Sequence, residues 1–239
     1  MSTRDSDEAS LGATVTGALK RWLGKARDAV MAPWRQYKIS PSPVAIFTTQ
    51  QDWNSEVGTI LTEIGKIGAG AWSRASDVPF VSRHSFVVAQ LAQTENLLVR
   101  IPDEIYNRIF AVITDVVNNG GGIQEVADGV DDVLSWTGSE NWPSRAKTIA
   151  TTEVTRAYGG ATVAAGMEQS RVTGKLVFKE WLTEADRHVR ATHRATNHLR
   201  VPLASVFPVG EAYLLYPGDA SGPPNEVINC RCDLQIVEG

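Results

Sequence analysis

Trp181-Leu182-Thr183-Glu184-Ala185-Asp186-Arg187-His188-Val189-Arg190, with His193 close behind, and Asn229-Cys230-Arg231-Cys232 near the C-terminus are the stretches on which this chain turns. The two cysteines are the only ones in 239 residues. Val227 to Leu234 alternates as a strand would, which would turn Cys230 and Cys232 to the same side. A disulfide between residues i and i+2 is strained, so two thiols in a reducing compartment are expected. Thr183, with Asp186 three residues on, suggests a helix start, and the spacing predicts a helix over 184–198. Projected at 100° per residue, Ala185, Val189, Thr192, Thr196 and Leu199 form a weak core face. Arg187, Arg190, Arg194 and His198 fall opposite as a basic stripe, and Asp186 and Arg190 stand at ion-pair spacing.

Outward from this region the texture is helical. Leu11, Val15, Ala18, Leu19, Trp22, Leu23, Ala26 and Val30 recur at helical spacing. Met31 to Pro43 holds three prolines and is expected to break the chain. Trp53, Val57, Ile60, Leu61, Ile64 and Ile67 form a second stripe, expected to end at Gly68-Ala69-Gly70. A third helix is expected over 82–100. Pro102 with Asp103 and Glu104 opens a fourth, which stops at Gly120-Gly121-Gly122. A shorter helix covers 123–136, and another runs from Pro143 to about Ser170 with a kink expected at Gly159-Gly160. After Gly174, Leu176, Phe178 and Trp181 resemble a strand, followed by short β segments and a Pro217-Gly218-Asp219 turn. The expected fold is α+β: a mostly helical N-terminal part and a small mixed α/β C-terminal module. The expected divisions are 1–43 (amphipathic helix and linker), 44–140 (helical) and 141–239 (the module).

Charge is distributed unevenly beneath a net −4. Residues 101–141 carry eight acids against Arg108 alone, whereas residues 142–200 carry ten Lys or Arg against five acids. An anionic partner is therefore compatible with the small total. No apolar run reaches the length of a membrane span, and the polar N-terminus does not resemble a signal peptide.

The stretch from Ser144 through Ile149-Ala150-Thr151-Thr152-Glu153 to Asn229-Cys230-Arg231-Cys232 resembles the phage Mu F-like head morphogenesis family. Glu153, Trp181, Thr183, Asp186, Arg190, His193, Asn229, Cys230, Arg231 and Cys232 stand in the family's order. The sequence departs from the pattern at Asn197-His198, where the family often has glycine. The resemblance implies a non-enzymatic minor capsid protein of a tailed bacteriophage. It would be present in host cytoplasm during assembly and then inside the virion. The implied partners are the portal protein, a major capsid or scaffold protein, and packaged double-stranded DNA. The chain ends seven residues after Cys232, so no fused toxin domain is expected downstream.

The chemistry of the motif leaves alternatives. His193, Cys230 and Cys232, with His188 or Asp186 as a fourth group, approach a zinc set, although C-x-C is atypical against the usual C-x₂₋₄-C. The simpler expectation is two buried thiols beside a hydrogen-bonded His193, with no cofactor. The same three residues would serve a metal-dependent hydrolase or transferase, or a nucleophilic Cys–His pair. Arg187, Arg194, His198 and Arg200 are the candidate DNA contacts, without sequence preference; a DNA-binding adaptor is the remaining alternative. Arg190 would complete a polar clamp if it reached Glu153 or the Asn229 region.

Overall fold

The computed structural model describes residues 2–184 and 186–239. In chain order the elements are α1 (Thr3–Tyr37), a 3-10 turn (Pro43–Thr49), α2 (Gln50–Ala75), α3 (Ser85–Leu98), α4 (Ile101–Asn118), α5 (Ile123–Leu134) and α6 (Trp142–Thr173). Short elements follow: β1 (Val177–Leu182), α7 (Ala191–Thr196), β2 (Arg200–Pro202), β3 (Phe207–Val209), β4 (Ala212–Leu214), α8 (Pro224–Val227) and β5 (Asp233–Glu238). The fold is α+β, with the helices first and the strands last. Among the described residues no helix is long and apolar enough to cross a membrane.

Two compact units emerge, and both draw on all three expected stretches of sequence. One comprises residues 1–12, 61–94 and 148–239; the other comprises 13–60 and 95–147. The all-helical unit is built on a tryptophan cluster. Trp22, Trp53 and Trp142 are fully buried, with the Trp22 ring 5.1 Å from Trp53 and 6.5 Å from Trp142. Each indole N–H has an acceptor: Thr49 Oγ1 for Trp22 (2.9 Å), the Leu98 carbonyl for Trp53 (2.7 Å) and the Val133 carbonyl for Trp142 (3.0 Å). Large rings thus bury their area without stranding a donor. Arg27 on α1 grips Asp131 on α5 through both its Nε and Nη2.

The mixed unit has a three-stranded antiparallel sheet in the order β2-β1-β5 and a separate β3-β4 hairpin. β1 and β5 pair over six positions, from Val177 opposite Glu238 to Leu182 opposite Asp233. Trp181, Phe207, Val209, Leu214, Tyr216, Val227, Leu234 and both cysteines form its core with Val163 of α6. α6 runs as one continuous helix through Gly159-Gly160. These glycines allow close packing: a Cβ at Gly159 would lie 2.6 Å from Tyr216 Cδ2, and one at Gly160 would lie 2.1 Å from Gln90 Oε1.

Four expected boundaries moved. α1 continues through Pro33 to Tyr37, because Val30 and Met31 are still buried there, and the break falls at Lys38 (φ 56°). α2 passes Gly68 and Gly70 to Ala75, since Ala71 and Trp72 extend its buried stripe. The helix expected over 184–198 shrinks to the six residues of α7. Asp186 Oδ1 accepts the His188 backbone N–H at 2.8 Å, a local turn that competes with helical bonding. The Ala185 position of the projected core face lies outside the described residues. Finally, 227–232 is not a strand: α8 ends at Val227, Asn229 takes a left-handed φ of 55°, and β5 begins only at Asp233.

Candidate functional site: a buried histidine–dithiol set

Three elements deliver the site. α7 carries His193, the turn after α8 carries Cys230, and the residue before β5 is Cys232. All three are at most 3% exposed, and both cysteines are free thiols. His193 Nδ1 lies 3.3 Å from Cys232 Sγ and 3.6 Å from Cys230 Sγ. The ring's other nitrogen, Nε2, lies 3.1 Å from Glu226 Oε2. An ionised carboxylate only accepts hydrogen bonds, so Nε2 carries the proton and the Nδ1 lone pair faces the sulfurs. Glu226 is held in turn by Thr192 Oγ1, which donates over 2.9 Å.

The thiols titrate as a pair. The hydrogen bond from Cys232 pulls Cys230 down, against burial. The same sulfur–sulfur contact, together with burial, pushes Cys232 up. One thiolate is favoured and a second beside it is opposed, as expected for like charges sharing a site.

The surrounding backbone is pinned. Thr155 Oγ1 donates to the Cys230 carbonyl, Arg4 Nη1 donates to the Cys232 carbonyl (3.3 Å), and the Asn229 N–H donates to Thr152 Oγ1 (3.0 Å). Arg231, between the cysteines, turns outward to Asp186 (2.5 Å), and Arg190 donates to the Ile228 carbonyl. The expected Asp186–Arg190 ion pair is therefore replaced by two links from the α7 approach to the cysteine turn. Arg190 reaches the Asn229 region only through an exposed hydrogen bond to the Ile228 carbonyl and not as a buried clamp; Glu153 belongs to a different set. Its carboxylate takes Arg156 at 2.5 Å and Thr94 Oγ1 at 2.8 Å, inside the protein.

The remaining candidates scatter. His188 is exposed and stands outside the dithiol set, as does Asp186. The basic residues do not form a helical stripe, because most of that helix is absent. His198 and Arg200 both bond Glu180, at 2.8 and 2.7 Å, and Arg194 Nη2 donates to the Val189 carbonyl. His198 adopts a left-handed φ of 62°, the conformation glycine favours. Thr183 caps no helix; its N–H donates to Asn197 Oδ1 (2.9 Å). Trp181 is fully buried, with its ring edge-on to His193 at a centroid distance of 5.5 Å.

Glu226 was not anticipated. Its only signal is an acid directly before Val227 and Ile228. Lys179 was also missed: fully buried on β1, its Nζ donates to the Leu215 carbonyl (2.7 Å), and burial lowers it to about 7 despite Asp219.

The thiol–imidazole set is buried, with the cysteines in the apolar core of the mixed unit and the reactive groups facing one another and not solvent. A cleft of about 380 Å³ lined by Arg74, Tyr158, Thr162, Leu182 and Asp233 includes none of the three. The chain belongs to the Phage Mu protein F like family, whose model matches residues 107–235, more than half of its length. The match begins within α4, earlier than the resemblance read from the motif. The chain is also similar to NAD(+)--arginine ADP-ribosyltransferase EFV of Enterococcus faecalis, at 29% identity over 116 residues. That alignment covers 45% of this chain and 22% of the relative, so the chain matches about a fifth of that protein's length. No solved structure matches.

Proposed function

We propose that the protein is a minor structural component of a tailed-phage head, acting in head assembly from inside the capsid and attached to the portal or capsid shell. The family match over residues 107–235 carries this reading. Burial of His193, Cys230 and Cys232 supports a non-enzymatic role, because a nucleophile needs access to its substrate and these groups are enclosed by apolar neighbours.

Attachment falls to the helical unit. Its apolar stripe on α1 is used internally, since Trp22 is covered by Trp53 and Trp142. An exposed aromatic ladder remains. Phe47 packs on Tyr106 (5.2 Å between centroids) and Tyr106 on Phe110 (6.2 Å), with Phe47 and Phe110 40% and 54% exposed and Val117 60% exposed on the same helix as Phe110. Aromatic groups left in water in this way favour a protein partner.

Co-sedimentation of the full chain with purified portal and with capsid assemblies tests the role. Wild type should co-sediment, and Phe110→Glu should not while keeping its helical content. A chain that binds neither assembly and is missing from purified heads would overturn the proposal. The activity named for the E. faecalis relative is tested alongside: turnover of NAD⁺ with an arginine acceptor would replace the non-enzymatic reading.

A further inference from the structure

We propose that His193 Nδ1, Cys230 Sγ and Cys232 Sγ bind one zinc(II)-class ion that locks the cysteine turn to α7. The ligand spacing is the first reason. Zinc sits about 2.3 Å from thiolate sulfur and 2.0–2.1 Å from imidazole nitrogen, so tetrahedral ligands stand roughly 3.5–3.8 Å apart. The nitrogen-to-sulfur distances here are 3.3 and 3.6 Å, and all three donor atoms lie within 4.8 Å of one another. Two soft sulfurs and one imidazole suit zinc better than magnesium or calcium.

The second reason is the valence of the set without an ion. The Nδ1 lone pair can take one thiol proton, which leaves the other to the neighbouring sulfur, a weak acceptor. An ion in the middle takes the lone pair and both sulfurs, and each coordinating thiol releases its proton to solvent.

The third reason is the layer behind the ring. Glu226, itself buried, holds Nε2–H and is fixed by Thr192, an arrangement that sets the tautomer and orientation of a metal-bound histidine. Both cysteine carbonyls are anchored, by Thr155 and Arg4, so the sulfurs are placed before any ion arrives. Trp181 supplies a fourth observation. Its buried indole nitrogen makes no well-formed hydrogen bond among the described residues, and the group it approaches is the Cys232 thiol, in the ring packed edge-on to His193. A metal-bound thiolate is an acceptor for it; a neutral thiol is a poor one. No fourth His, Cys, Asp or Glu joins the set among the described residues, which leaves the last vertex to water. The atypical C-x-C spacing is accommodated because the segment is a turn through left-handed Asn229 and not a strand.

The proposal is independent of the head-assembly role. Its test uses the full chain, purified and kept reduced, with zinc(II) and cobalt(II) as probes. Roughly one zinc per chain should be retained, and cobalt should give a thiolate-to-metal charge-transfer band with tetrahedral d–d absorption. Both signals should vanish in Cys230→Ser/Cys232→Ser. Glu226→Gln, which leaves every ligand in place, should hold zinc about 10–100-fold more weakly in competition with a chromophoric chelator. The proposal is overturned if reduced wild type gives no charge-transfer band, or if the double variant binds as wild type does. Should the double variant fail to fold, an unchanged zinc affinity in Glu226→Gln overturns it equally.

Discussion

Arg156 Nη1 and Glu153 Oε1 meet at 2.5 Å across one turn of α6, with their side chains only 3% and 7% exposed. The pair is extended at both ends: Arg156 Nε reaches the Gly218 carbonyl (3.0 Å), and Thr94 Oγ1 donates to Glu153 (2.8 Å). α6 is thereby tied to α3 and to the Pro217-Gly218-Asp219 turn. Breaking one side leaves a buried charge alone, which costs far more than the net worth of the pair. Glu153→Ala should destabilise by about 3–5 kcal/mol in urea unfolding, whereas Glu153→Ala/Arg156→Met should recover part of that loss. A loss in the double variant equal to the sum of the losses in Glu153→Ala and Arg156→Met alone would show that the pair is not coupled.

Lys179 should impose a pH dependence. Its folded value is lowered to about 7 by burial, while in the unfolded chain it is an ordinary lysine. Between these values the unfolded chain binds the extra proton, so stability should rise as pH increases from about 7 towards 10, by at most about 1.4 kcal/mol per pH unit. Below 7 both states are protonated and the penalty is constant. Lys179→Met should flatten the slope between pH 7 and 10 and stabilise the chain at pH 7, read from thermal melts across that range. A slope identical to wild type would mean that Lys179 keeps its charge inside the fold.

Two helix glycines should respond in opposite directions. A Cβ at Gly65 in α2 meets nothing within 4 Å, so Gly65→Ala should gain about 0.5–1 kcal/mol from reduced unfolded-state freedom. At Gly159 the same atom would lie 2.6 Å from Tyr216 Cδ2 and 2.9 Å from the Pro217 carbonyl, so Gly159→Ala should lose about 1–3 kcal/mol through overpacking. Chemical denaturation of the two variants side by side decides the matter; stabilisation by both would mean that the Tyr216 turn yields freely.

DNA retention, if carried by the basic residues, should depend on Arg187 and Arg194. His198 and Arg200 are already engaged by Glu180, whose carboxyl their hydrogen bonds hold below the usual carboxylate range. Arg187→Ala/Arg194→Ala should weaken binding to unrelated duplexes equally and reduce the salt slope by up to about 0.9 for each phosphate that is no longer neutralised. His198→Ala/Arg200→Ala should do less. Failure of wild type to retain DNA at low salt, or an equal effect from the two pairs, would remove the assignment.

Much of this protein was legible in its order of residues. The apolar stripes of α1, α2 and α4, the proline–acid start of α4 and the change of texture after Gly174 are local signals, and the helices and the α+β class follow from them. The motif residues also pointed to the right neighbourhood, since His193, Cys230 and Cys232 do converge. Why they converge was not legible. The cysteines share a direction because a turn through Asn229 is pinned by Thr152, Thr155 and Arg4, hydrogen bonds that span up to 228 residues of sequence. Asp186 prefers Arg231 over Arg190 for a similar reason: a side chain turned towards a distant partner, with a local turn at His188, outweighs the few tenths of a kcal/mol that a helical ion pair offers. Periodicity reports which face of an element is buried, but not what buries it. The division into two units, the pairing of Glu226 with His193 and the sealing of the dithiol from solvent arise only when distant segments are brought together, because burial and hydrogen-bond satisfaction are properties of the assembled chain.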